Sequence, residues 1–201
     1  MKTIILFLLV NCTLGLYSQS ANKEKFIDEN GKNITKPVFD NKAATQKYTY
    51  THTQNDTVLI TKLILREEFG SLKEGERQQA IKSLERLTGK ILDTTKTIVI
   101  NFYFKQPTNL QSCINHYVND KKYIKYFKNN STETQFFITV KGFNYKKDYV
   151  FEDRENVIKD LFFKNELSCG NYIIIKPNGH FMRHNGEYRQ DEIPKLLNEN
   201  W

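Results

Sequence analysis

Three residue types in this sequence have the chemistry for a site: cysteine, histidine and, at suitable spacing, carboxylate. The cysteines are Cys12, Cys113 and Cys169. A thiolate is a nucleophile, a metal ligand or one half of a disulfide, and its surroundings decide which. Cys12 lies in a segment expected to be removed, which leaves Cys113 and Cys169. An even number in an oxidising compartment permits one disulfide. Two separate buried thiols, behaving as small apolar side chains, are the other structural reading. His180 and His184 fall on one face of an expected strand because their separation is even, with Met182 between them and His116 elsewhere. No cysteine or carboxylate stands at a convincing ligand spacing to them, so neither a metal nor a cofactor is expected. The sequence holds no P-loop, HExxH, GxSxG or dinucleotide fingerprint.

The formal net charge is +7, and most lysines are interspersed with glutamate and aspartate, the pattern of a solvated surface. The segment HYVNDKKYIKYFKNN, residues 116–130, mixes lysine with Tyr and Phe. Basic and aromatic residues together can bind single-stranded nucleic acid. At helical spacing, however, several of these aromatics fall on a core face. An amphipathic helix with a wet basic face is therefore expected, and no nucleic-acid partner.

The start, MKTIILFLLVNCTLGLYSQS, reads as a signal peptide over residues 1–20. Lys2 supplies the positive end, residues 4–10 the short apolar run, and Ser18-Gln19-Ser20 a small-x-small cleavage site. The run is too short to cross a bilayer, which takes about 20 residues, and no later stretch approaches that length. An exported protein, periplasmic or secreted, is expected. A lipid anchor on Cys12 fits less well, because Asn11 stands where a small residue belongs.

The elements that would position these residues follow in order. Residues 21–56 are polar and read as a loosely structured extension, with short strands near 26–27 and 48–50. Residues 57–65, TVLITKLIL, read as a strand. A helix is expected over 71–88, with Ser71 and Glu74 as a capping box and Gly89 as its stop. Residues 96–104 form a continuous apolar run suited to a central strand. A helix over 109–128 would bury Cys113, Ile114, Tyr117, Ile124 and Phe127. A strand at 134–141 and a helix at 152–167 follow. The strand at 171–176 turns at Asn178-Gly179, a strong hairpin signal, into a return strand at 180–184. A last helix spans 189–200, with Pro194 in its first turn. The order β-α-β-α-β-α-β-β-α makes an α/β protein with a mixed sheet, helices on both faces, a terminal β-hairpin and a C-terminal helix.

Over residues 57–201 this element order, the strand TIVINFYF and the closing NYIIIKPNGHFMRHNGEY resemble the thioredoxin-like superfamily, in exported form. The resemblance implies a three-layer sandwich. It also implies a pair of cysteines two residues apart at the junction after the central strand, where a helix N-terminus favours a thiolate. That pair would fall near Pro107 and Leu110, and neither is a cysteine. The family's proline before the fourth strand would fall near Asn171, again a mismatch. No catalytic residue carries over. The same topology would bring Cys113 and Cys169 near one another, so the resemblance implies a structural disulfide between them. The expected function is an exported thioredoxin-like domain without dithiol oxidoreductase activity, a binding or structural module with an unidentified protein partner. The alternative is a thiol-dependent oxidoreductase or peroxidase-like enzyme using Cys113, with Cys169 as resolving thiol.

Overall fold

The structure, a computed structural model, describes residues 23–55, 57–105, 112–199 and 201. The expected signal peptide and the Pro107 and Leu110 positions lie outside the described residues. The chain is α/β, with two mixed sheets and six α-helices among the described residues.

Residues expected to be a loose extension with short strands near 26–27 and 48–50 form a second sheet together with the strand that follows them. It comprises β1 (Lys23–Ile27), β2 (Asn33–Ile34), β3 (Tyr48–Gln54) and β4 (Val58–Leu65), in the order β2-β1-β4-β3. The Asp28 carboxylate accepts from the N–H groups of Asn30 and Lys32 at 3.0 and 2.8 Å, and this closes the β1–β2 turn. Helix α1 (Lys36–Ala43) carries proline in its first turn and packs Phe39 against Tyr48 and Leu63. Strand β4 was expected in the main sheet. It instead pairs with β3, from Tyr48↔Leu65 to Gln54↔Leu59, and with β1 in parallel. The expected border between residues 56 and 57 thus falls between the two arms of a hairpin.

The main sheet runs β5-β10-β9-β6-β7-β8. Its members are β5 (Glu67–Ser71), β6 (Thr97–Tyr103), β7 (Glu133–Val140), β8 (Val150–Asp153), β9 (Asn171–Ile175) and β10 (His180–His184). Strand β6 is parallel to β7 and antiparallel to β9, so the sheet is mixed around one of its two central strands. Alternation along β6 sends Ile98, Ile100 and Phe102 to one face and Val99, Asn101 and Tyr103 to the other. The first set meets α2 (Glu76–Thr88) and α5 (Val157–Phe162) through Ala80, Ile81, Leu84, Ile158 and Phe162. The second meets α3 (Ser112–Val118), α4 (Lys121–Asn129) and α6 (Ile193–Leu196).

Several helix borders differ from expectation, each for a local reason. Ser71 ends β5 and caps nothing; α2 starts at Glu76 after Gly75, whose φ is +81°. Glu76 itself closes the entry, accepting from the Lys73 N–H at 2.8 Å. Gly89 does end α2, in the left-handed region. The expected helix over 109–128 is broken before Asp120, whose carboxylate caps α4 by accepting from the N–H groups of Lys122 and Tyr123. The expected helix over 152–167 is a strand, β8, followed by α5. Asp153, at the end of β8, accepts from the Lys159 N–H at 2.8 Å and anchors the start of α5. The closing helix is shorter than expected: a 3-10 turn, Gln190–Glu192, leads into α6. The Asn178-Gly179 turn stands where the sequence puts it, with Gly179 at φ +86°. Among the described residues no helix is long and apolar enough to cross a membrane.

Candidate functional site

Antiparallel pairing fixes what meets at the carboxyl end of β6. The register sets Phe102 of β6 opposite Asn171, the first residue of β9. Whatever follows β6 and whatever precedes β9 therefore share one end of the sheet. Cys113, in the first turn of α3, and Cys169, two residues before β9, are brought together there across 56 positions of sequence. They are joined as a disulfide with their Cα atoms 5.2 Å apart, and both are half-buried. Cys169 and Gly170 take φ values of +63° and +108°, so the chain reverses sharply as it enters β9. Gly170 is the residue this reversal needs. A Cβ there would stand 3.0 Å from the Tyr188 ring and 3.3 Å from the Tyr103 ring.

Those two rings belong to a buried polar network beneath the disulfide. At its centre is Asn101, fully buried in the central strand β6. Its Oδ1 accepts from the Tyr188 and Tyr123 hydroxyls at 2.8 and 3.2 Å. Its Nδ2 donates to the Phe136 carbonyl at 3.2 Å and to Gln135 Oε1 at 3.3 Å. Since the Tyr188 proton goes to Asn101, the Tyr103 hydroxyl donates to Tyr188, at 3.2 Å. The Tyr117 hydroxyl donates to the Tyr188 carbonyl at 3.1 Å, and its ring stacks on Tyr188 with centroids 4.6 Å apart. Burial pushes the phenols of Tyr103, Tyr123 and Tyr188 well above the ordinary tyrosine range. They are neutral donors and acceptors, unsuited to act as bases or nucleophiles near neutral pH. Gln190, two residues beyond Tyr188, is 6% exposed and neither atom of its side-chain amide has a partner.

The histidines do not converge. His184 stacks on Tyr172 with centroids 5.3 Å apart, and its Nε2 lies 3.2 Å from the Glu187 carbonyl. Burial holds it below the usual histidine range. His180, at the other end of β10, is exposed, and His116 is exposed on α3. Met182, between the first two, is fully buried. Among the described residues no group of three or more His, Cys, Asp or Glu is arranged to hold a metal ion. A cleft of about 540 Å³ between α2 and β8, lined by Arg86, Tyr145, Asp153 and Arg154 among others, is separate from the disulfide and its tyrosines.

The tyrosine network was not foreseen from the sequence. Its one signal was Asn101 itself, a polar residue inside TIVINFYF, which a fully buried strand tolerates only with partners. The chain matches no family model, no curated protein and no solved structure.

Proposed function

We propose that this chain is a thioredoxin-like module that acts by binding, and that Cys113 and Cys169 form a structural cross-link in an exported protein. The observation that carries this reading is the pairing itself. The two cysteines bond to each other across 56 positions, tying α3 to the entry of β9, and no second thiol stands two residues from either. A dithiol oxidoreductase needs two thiols that open and close while the fold around them stays put. Here the same bond pins two separate elements over a packed tyrosine network. The mixed sheet supports the family reading: a parallel β6–β7 pair, antiparallel β9 and β10 joined by an Asn-Gly turn, and helices on both faces.

The test is insulin reduction with dithiothreitol, on the protein beside its Cys113→Ser variant, with melting followed on both. Neither protein should accelerate reduction over the uncatalysed rate. The variant should lose about 4 kcal/mol of stability, the chain-entropy expectation for a loop of this length. Wild-type activity that disappears in the variant would instead make Cys113 the catalytic thiol and Cys169 its resolving partner.

A further inference from the structure

Helix α4 presents a row of charge that has no ion-pair partner among the described residues. Its sequence, KKYIKYFKN, has four lysines and no carboxylate. Tyr123 and Phe127 are buried against the sheet, and Ile124 and Tyr126 pack along the edge of the same apolar cluster. At about 100° per residue, Lys121, Lys125 and Lys128 then fall within about 60° of one another on the outward side, over about 10 Å of helix. Lys122 flanks them. All four are exposed, and among the described residues none of their ammonium groups makes an ion pair or hydrogen bond. The nearest acid in sequence, Asp120, is occupied with the helix's own N–H groups. This arrangement is costly in self-repulsion at i,i+4 spacing, and the fold offers nothing in return.

We infer that the outer face of α4 is an electrostatic docking surface for an anionic lipid bilayer. Three features select that occupant. The ridge is the convex side of a helix, so it meets a plane rather than enclosing a ligand. Its charges are all lysine, point charges without the planar fork that reads individual phosphates in pairs. Two of its aromatic rings, Tyr123 at 2% and Phe127 at 9% exposure, are turned inward, and the third, Tyr126, is half-buried against the same cluster, so the lysine ridge lacks the row of free rings on which single-strand binders stack successive bases. Laterally mobile headgroups can gather under the fixed lysine spacing. Each lysine held near such a surface contributes about fivefold to partition. The apolar face of α4 is committed to the core, so adsorption would be peripheral and released by salt. This inference stands apart from the disulfide reading and does not depend on it.

The experiment is sedimentation of the full chain with phosphatidylcholine vesicles, with and without about one-third phosphatidylglycerol, at about 0.05 M and about 0.5 M salt. Taking the ratio of anionic to neutral partition cancels any apolar insertion by the N-terminal segment. Wild type should show a ratio well above one at low salt that collapses at high salt. The variant Lys121→Gln/Lys122→Gln/Lys125→Gln/Lys128→Gln should lower the low-salt ratio at least about tenfold. A charge-matched control, Lys73→Gln/Lys82→Gln/Lys90→Gln/Lys164→Gln, removes four exposed lysines elsewhere and should lower it less than about threefold. Far-UV circular dichroism checks folding; if the stripe variant unfolds, the single reversal Lys125→Glu replaces it and should lower the ratio at least about fivefold. A wild-type ratio near one, a control that falls as far as the stripe variant, or equal binding of a single-stranded oligonucleotide through the same lysines would each overturn the inference.

Discussion

The two faces of the main sheet are built from the same strands and solve different problems. Toward α2 and α5, β6 sends Ile98, Ile100 and Phe102 into a cluster that holds only aliphatic and phenylalanine side chains. Toward α3, α4 and α6 the same strand sends Val99, Asn101 and Tyr103 among four other tyrosines, with a disulfide over one end. The core of the first face is held by packing, with its polar ties, such as Arg183 to the Phe162 carbonyl, at the edges. Its side chains need only shape, and many sequences would satisfy it. The second is held by a network in which the hydroxyls of Tyr103, Tyr117, Tyr123 and Tyr188 each have a named partner, so it specifies one arrangement and tolerates little change. One residue step along β6 separates the two regimes. The face that carries the cross-link is also the face that carries the lysine ridge.

The sharpest contrast comes from removing one residue from each face. Phe102 is fully buried and stacks on Phe163 with centroids 4.7 Å apart. Phe102→Ala should cost about 4 kcal/mol, the usual penalty for emptying an aromatic site in a close-packed core, read as the shift in a urea melt. A loss under about 1 kcal/mol would mean that the α2 and α5 face collapses around the hole and is not close-packed.

Asn101→Leu keeps the branched shape and heavy-atom count and removes the centre of the network. It leaves the Tyr123 and Tyr188 hydroxyls without their acceptor, so it should cost about 3 kcal/mol although it makes the strand more apolar. The pair Asn101→Leu/Tyr123→Phe should recover part of that loss, because one stranded hydroxyl is gone. A single variant as stable as wild type would show that the polar face is held by packing, like its opposite, and the comparison would collapse.

The aliphatic face was legible because its signals are redundant. Residues 96–104, 134–141 and 171–176 each centre on consecutive apolar residues, 98–100, 136–138 and 172–175, as buried strands do, and the Asn-Gly turn fixes how the last of them returns. Helix borders were less legible because periodicity bridges a break. Cys113, Ile114, Tyr117, Ile124 and Phe127 all face the core, so the pattern runs on through Asp120 although the helix does not. Short strands near 26–27 and 48–50 were legible, but their union with residues 58–65 into a separate sheet was not, for a compositional reason. Strand β3, YTYTHTQ, buries only Tyr48, and the two-residue β2 is too short to show a period. Strand β5, EEFGS, is an edge strand and mostly exposed, so nothing apolar announces it. The disulfide came from the resemblance and not from spacing, since a sequence separation of 56 carries no signal of proximity. Hydroxyl partners are a property of three dimensions, and of the whole network only Asn101 was out of place in one.

The smallest effect expected concerns pH and also distinguishes the faces, because His184 packs only on the polar one. Its ring stacks on Tyr172 and lies 6.1 Å from Tyr188, and burial lowers its pKa more than the Glu187 carbonyl and Glu67 raise it. A histidine whose folded pKa lies below its unfolded one binds protons more readily when unfolded. Its contribution is therefore fully present above the unfolded value, about 6.5, and is lost as pH falls from there toward the lower folded value. Melting temperatures taken from about pH 7.5 to about pH 5 should drop more steeply for wild type than for His184→Phe, which keeps an aromatic ring against Tyr172 and cannot be protonated. Carboxylates elsewhere titrate in both proteins and cancel in the difference. Parallel curves would mean that the ring is protonated in place, its charge carried by Glu67 at 3.6 Å, and that this end of the network is open to water.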